Sequence, residues 1–113
     1  MILADTPAGN SFNLEDLIRG KDELIIGRGS EADICLGKGD LDENAKFELR
    51  TVSRKHAKLT CTDGIFYLQD DNSANGTRLN GLESKPIDEP IPLKGTENIF
   101  LGGYQIAFTA YEQ

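Results

Sequence analysis

The chain of 113 residues has no tryptophan, one histidine, one methionine and only two cysteines. A single histidine and two separated cysteines cannot supply the clustered ligands of a structural zinc site, and no disulfide framework is readable from two thiols. Cys35 and Cys61 both sit in apolar, strand-like runs, "DICL" and "AKLTCT", and are expected to be reduced and buried. Long hydrophobic runs are also missing, so no segment approaches the length of a membrane span. The N-terminal "MILADTPAGN" lacks the basic stretch and apolar block of a secretory signal, and the expected location is the cytoplasm. Positive charge is scarce as well. Twelve Lys and Arg against nineteen Asp and Glu give a net charge of −7, which argues against general nucleic-acid affinity.

What is present is an ordinary globular composition, 38% hydrophobic with twelve glycines. Its length suits one domain, residues 1–113, with a single modest core. The scarce positive charge is concentrated. Arg28 to Lys58 carries seven basic and six acidic residues, whereas the remainder carries five basic and thirteen acidic. A near-neutral segment on an acidic body suits a local anion site better than a broad basic face.

Short apolar runs broken by turn residues predict strands at Ser11–Leu14, Glu23–Gly27, Asp33–Leu36, His56–Cys61, Ile65–Asp70, Thr77–Leu79, Glu97–Leu101 and Gln105–Tyr111. Asp63-Gly64 and Asn80-Gly81 each read as a hairpin turn. Helix is restricted to a turn in "LEDLIRG", ended by Gly20, and to "DENAKFEL" within the long polar connection Gly37 to Thr51. The rhythm predicts an all-β sandwich or barrel. It also disposes of a tempting motif. "LIIGRGSEADI" contains G-x-G-x-x-A, the pattern of a dinucleotide loop, but that loop must open a helix. Here strand character resumes at "DICL".

Three clusters fall at strand ends: Gly27-Arg28, "SRKH" from Ser53 to His56, and "NSANGT" from Asn72 to Thr77, with "LNG" following. Loops of a sandwich gather at one end, which could bring together the guanidinium groups of Arg28 and Arg54, the Ser53 hydroxyl and the Asn75 amide. Arginine's planar fork matches phosphate oxygens, and an asparagine amide can pair with a peptide backbone. No Walker lysine, magnesium carboxylate cluster or nucleophile with base accompanies them. The set can hold a phosphate without evident means to transfer it, so no catalytic residue, cofactor or metal is expected.

The ordered set GR, S-R-K-H, S-x-N-G-T and N-G resembles the forkhead-associated (FHA) domain, by motifs from Glu23 to Gly81 and by strand rhythm to Tyr111. The resemblance implies a β-sandwich of about eleven strands whose loops at one end bind phosphothreonine peptides in phosphorylation-dependent signalling. It implies that Arg28 grips the phosphate, Ser53 donates its hydroxyl, Arg54 adds a further contact and Asn75 binds the peptide main chain. Gly27, His56, Gly76 and Thr77 are then structural supports. Ala74 stands where the family often has a serine or threonine, and the Leu36–Ser53 connection is longer than usual. These departures leave open an FHA-like fold that binds its partner without phosphate. A small phosphohydrolase or nucleotide-binding enzyme is the third reading, for which the sequence offers no nucleophile–base pair or metal cluster.

Overall fold

The computed structural model describes residues 1–110. Its strands are β1 (Ile2–Asp5), β2 (Ser11–Asn13), β3 (Leu24–Gly27), β4 (Ile34–Cys35), β5 (Ala57–Thr62), β6 (Ile65–Asp70), β7 (Thr77–Leu79), β8 (Ile91–Pro92), β9 (Thr96–Leu101) and β10 (Tyr104–Ala110). Two short helices interrupt them, α1 (Leu14–Ile18) and α2 (Glu43–Leu49). The ten strands form two five-stranded sheets, ordered β2-β1-β10-β9-β7 and β4-β3-β5-β6-β8. Every pairing is antiparallel except β3 with β4. Tyr111, which the sequence places at the end of the last strand, lies outside the described residues.

Alternation builds the core. Leu24 and Ile26, Ala57 and Leu59, and Phe66 and Leu68 face inward from one sheet, and Ile99 and Leu101, with Tyr104, Ile106 and Phe108, from the other. Phe66 meets Phe108 edge to face across the two layers, ring centroids 6.4 Å apart. The β5–β6 hairpin forms where expected. Asp63 and Gly64 both take positive φ, +53° and +79°, the backbone twist that a two-residue hairpin requires.

Two sequence expectations fail and two strands are not foreseen, each for an identifiable reason. Asn80-Gly81 makes no hairpin: Asn80 is left-handed at φ +67°, but its N–H donates to the Asn98 carbonyl at 2.7 Å and its side-chain oxygen accepts from the Asn98 N–H at 3.1 Å. The chain is thereby tied to β9 and then crosses to the other sheet. β1 carries only one buried side chain, Ala4, so it has no strong alternation to read, and its extended form comes from pairing with β10. β8 contains Pro92, which donates no ladder hydrogen bond and is tolerated on a sheet edge. Finally, Cys35 is buried but Cys61 is exposed, both as free thiols. Cys61 shares the inward parity of Ala57 and Leu59, yet lies near the hairpin tip beside exposed Thr62 and Ile65.

The long connection between β4 and β5 does contain the helix that "DENAKFEL" allows. Asp42 caps α2, its carboxylate accepting from the Ala45 N–H at 2.7 Å. Among the described residues, no helix is long and apolar enough to cross a membrane.

Candidate functional site

Antiparallel pairing sends the end of β3, the start of β5, the end of β6 and the start of β7 to one end of the sandwich. Ile26 pairs with Ala57, Ala57 with Asp70, and Thr77 with Leu101. The three motif clusters therefore meet there, together with the Gly102-Gly103 turn between β9 and β10.

The Arg28 and Ser53 loops are joined through their backbones. The Arg28 N–H donates to the Ser53 carbonyl and the Gly29 N–H to the Arg54 carbonyl, both at 3.2 Å. This approach requires glycine at position 27. A Cβ there would lie 2.0 Å from the Arg54 carbonyl oxygen. Arg28 is exposed, but its Nε donates to the Val52 carbonyl at 2.7 Å. One edge of the guanidinium is thus anchored, and the two terminal nitrogens remain for an external acceptor. Arg28 and Arg54, with Lys55, Gly29, Ser30 and Glu31, line a depression of about 650 Å³. Among the described residues, Arg28, Arg54 and Lys55 form no ion pair.

Ser53 is half-buried. Its oxygen accepts from the Ala74 N–H at 3.2 Å, which leaves the hydroxyl proton able to donate outward. Asn75 is exposed, and one of its two amide protons is engaged by the Thr51 carbonyl at 2.9 Å. A second amide proton and the amide oxygen remain for a ligand. The Asn75 carbonyl in turn accepts from Arg78 Nη1 at 3.1 Å.

His56 is fully buried and touches both loops. Its Nδ1 accepts from the Ser53 N–H at 3.0 Å, so its proton resides on Nε2, which donates to the Gly76 carbonyl at 2.8 Å. The same carbonyl accepts from the Gly102 N–H at 3.0 Å. Burial pushes the His56 pKa down, while the Gly76 carbonyl and the charge of Asp70 act in the opposite direction. The net value is below the usual 6.5, and the ring is neutral.

Sequence reading missed three residues that hold these loops. Asp70 accepts from the hydroxyls of Ser73 and Thr77, both at 2.6 Å, and from the Ser73 N–H at 3.0 Å. Burial raises its pKa, but the bonds from Ser73 and Thr77 and the nearby His56 outweigh this and hold it below the usual 3.8. Ser73 passes the connection on, its oxygen accepting from the Gly76 N–H at 2.9 Å. Thr51 accepts from Gly103 N–H at 2.7 Å while donating to the Glu48 carbonyl at 2.6 Å, which bolts α2 to the β9–β10 turn. The signal for Asp70 and Ser73 was an Asp three residues before a Ser, the spacing of a local side-chain-to-backbone turn. Nothing in the sequence marks Thr51. No group of three or more His, Cys, Asp or Glu suited to a metal occurs among the described residues.

Known proteins share this architecture. The FHA domain of the CT664 protein of Chlamydia trachomatis has a TM-score of 0.73 at 23% identity, covering 98% of both chains. A structure from a study of phosphothreonine-dependent FHA domain interactions has a TM-score of 0.74 at 24% identity, covering 99% of this chain and 98% of that one. In sequence, 62 residues are 39% identical to vacuolar protein sorting-associated protein 64 of Saccharomyces cerevisiae, spanning 53% of this chain and 10% of that protein. A further 29% identity over 105 residues links it to the probable E3 ubiquitin-protein ligase dma1 of Schizosaccharomyces pombe, over 85% of this chain and 38% of that protein. The chain thus spans well under half the length of these relatives. The FHA domain family matches residues 24–102, from the first site strand to the last site turn, and the chain belongs to that family.

Proposed function

We propose that this domain recognises phosphothreonine in a partner protein and releases it without chemistry, serving phosphorylation-dependent assembly in the cytoplasm. The observation that carries the reading is the pairing of Arg28 and Ser53. One guanidinium edge is anchored on the Val52 carbonyl and the other is free, and the loop bonded to it through the backbone carries a hydroxyl whose oxygen is already satisfied and whose proton is not. A dianionic phosphate with three acceptor oxygens is the ligand that uses both. Arg54 adds charge from the same depression, and the unused half of the Asn75 amide binds the peptide main chain beside the phosphorylated residue. A similar fold has been solved as the FhaA FHA domain in complex with the intracellular domain of Rv3910, at 24% identity, which supports a protein as the class of partner.

A fluorescence titration with matched phosphorylated and unphosphorylated peptides tests this. Arg28→Ala should abolish binding of the phosphorylated peptide while the fold is retained, because losing a charged hydrogen-bond partner costs about 2–5 kcal/mol. Phosphothreonine should exceed phosphoserine by about 0.8 kcal/mol if its methyl group is buried. Equal affinity for phosphorylated and unphosphorylated peptides would replace this reading with phosphate-independent docking.

A further inference from the structure

Arg28 borders a second depression on its other side. This cleft, about 410 Å³, is lined by Arg28, Lys46, Leu49 and Arg50. Three cations converge on it, no carboxylate lines it, and the chain around it has a net charge of −7. The neighbouring depression differs in including Glu31. We propose that this cleft is a subsite for a second anionic side chain, a carboxylate or a second phosphate, carried by the same peptide that places its phosphothreonine on Arg28. The inference rests on the function proposed above.

Lys46 and Arg50 are four residues apart and Leu49 lies between them on the same side, so helical periodicity of α2 presents all three together. The helix is held in place. Asp42 caps its start, Ala45 is buried beneath it, and Thr51 ties its end to the β9–β10 turn. The cations are also available. Arg28 and Arg50 form no ion pair among the described residues, and the Arg50 guanidinium rests on the Phe47 ring at 5.9 Å, which leaves its N–H edges free. Among the described residues Lys46 pairs with Glu43 at 3.8 Å, a pair whose side chains are 60% and 94% exposed and which an incoming anion can outcompete. Asp40 and Asp42 line an adjoining hollow with Gly37, Gly39 and Leu41, and Lys46 borders both that hollow and the cleft. Folding thus brings Lys46 and Arg50 to one cleft with Arg28 that no carboxylate lines, with Lys46 at its border to the acidic hollow. Leu49 gives the cleft an apolar floor for the stem of the anionic side chain.

The test is a set of peptides with one phosphothreonine and otherwise neutral flanks. Into it a single aspartate or a second phosphothreonine is placed in turn at each neighbouring position. Titrations use the intact chain and the Lys46→Gln, Arg50→Gln double variant. The neutral-flank peptide should bind both proteins equally. At one or two positions an aspartate should improve binding to the parent about fivefold, and a second phosphate more because of its greater charge. That gain should vanish in the double variant and shrink with added salt. A gain at no position, or one that the double variant retains, would overturn the subsite. Failure of the neutral-flank phosphopeptide to bind the parent would instead overturn the primary phosphate site, and the subsite with it. An aspartate gain without a phosphate gain would assign the cleft to carboxylates alone.

Discussion

The His56 Nε2–H donates to the Gly76 carbonyl at 2.8 Å, linking the loop that carries Ser53 to the loop that carries Asn75. Because Nδ1 is occupied by the Ser53 N–H, the ring serves as a neutral two-ended brace, and neither nitrogen is left to a ligand.

His56→Gln should therefore lower stability by about 1–3 kcal/mol at pH 7.5, since at least one buried partner loses its bond. The pH dependence has a definite sign. The folded-state pKa of His56 lies below its usual 6.5, so the unfolded chain binds more protons and stability falls as pH drops through the unfolded value. Urea denaturation from pH 7.5 to 5 should show the parent losing stability that the variant does not, narrowing the gap between them. A constant gap would mean that the ring does not titrate differently on folding. Further down, protonation of Asp70, whose pKa is also lowered from 3.8, removes a second contribution from both proteins.

Gly27→Ala should be among the most disruptive single-methyl changes in the chain. The added carbon would lie 2.0 Å from one backbone carbonyl oxygen and 2.9 Å from another, at Arg54 and Ser53. Backbone on both sides must separate, so the cost should reach or exceed the upper end of about 1–3 kcal/mol seen for overpacking. Phosphopeptide affinity should fall with it, because the Arg28 and Ser53 loops are joined there. Unchanged denaturation and binding would show that the loops can part without consequence.

Ala74→Thr should strengthen phosphopeptide binding about fivefold, less than a full charged hydrogen bond because water already serves an open site. Ala74 is exposed and its N–H holds the Ser53 oxygen, so a hydroxyl at this position adds a donor beside that of Ser53. Ser73 cannot supply it, because its hydroxyl is committed to Asp70 and Gly76. The unphosphorylated peptide should gain nothing. Flat or reduced affinity in a normally folded variant would place residue 74 away from the phosphate.

Tyr104→Phe should leave stability unchanged or raise it by about 1 kcal/mol. The Tyr104 hydroxyl is buried without a hydrogen-bond partner among the described residues, a state that costs free energy which the phenyl ring avoids. Burial, with Glu48 and Asp42 nearby, pushes its pKa up, so ionisation offers no relief. A loss above about 1 kcal/mol in chemical denaturation would reveal a partner for the hydroxyl.

The sequence by itself determined the β-rich class, the main strands and the Asp63-Gly64 hairpin, because inward alternation and positive-φ turn chemistry are local properties. It also marked Arg28, Ser53, Arg54 and Asn75, since each stands in a short ordered motif beside a strand end. Other features were settled only by tertiary structure. β1 is extended because β10 supplies its hydrogen bonds, and Asn80 leaves its hairpin signal unused because Asn98 captures it. Cys61 is exposed near the tip of its hairpin despite its inward parity. Thr51 lies 52 positions from Gly103 in the chain, and Asp70 gathers its hydroxyls only once the β6–β7 loop has closed. The cations of α2 had no readable partner in the sequence, where they alternate with carboxylates. Helical periodicity and the anchoring of α2 turned Lys46 and Arg50 towards Arg28, a relation between residues that only the folded chain brings together.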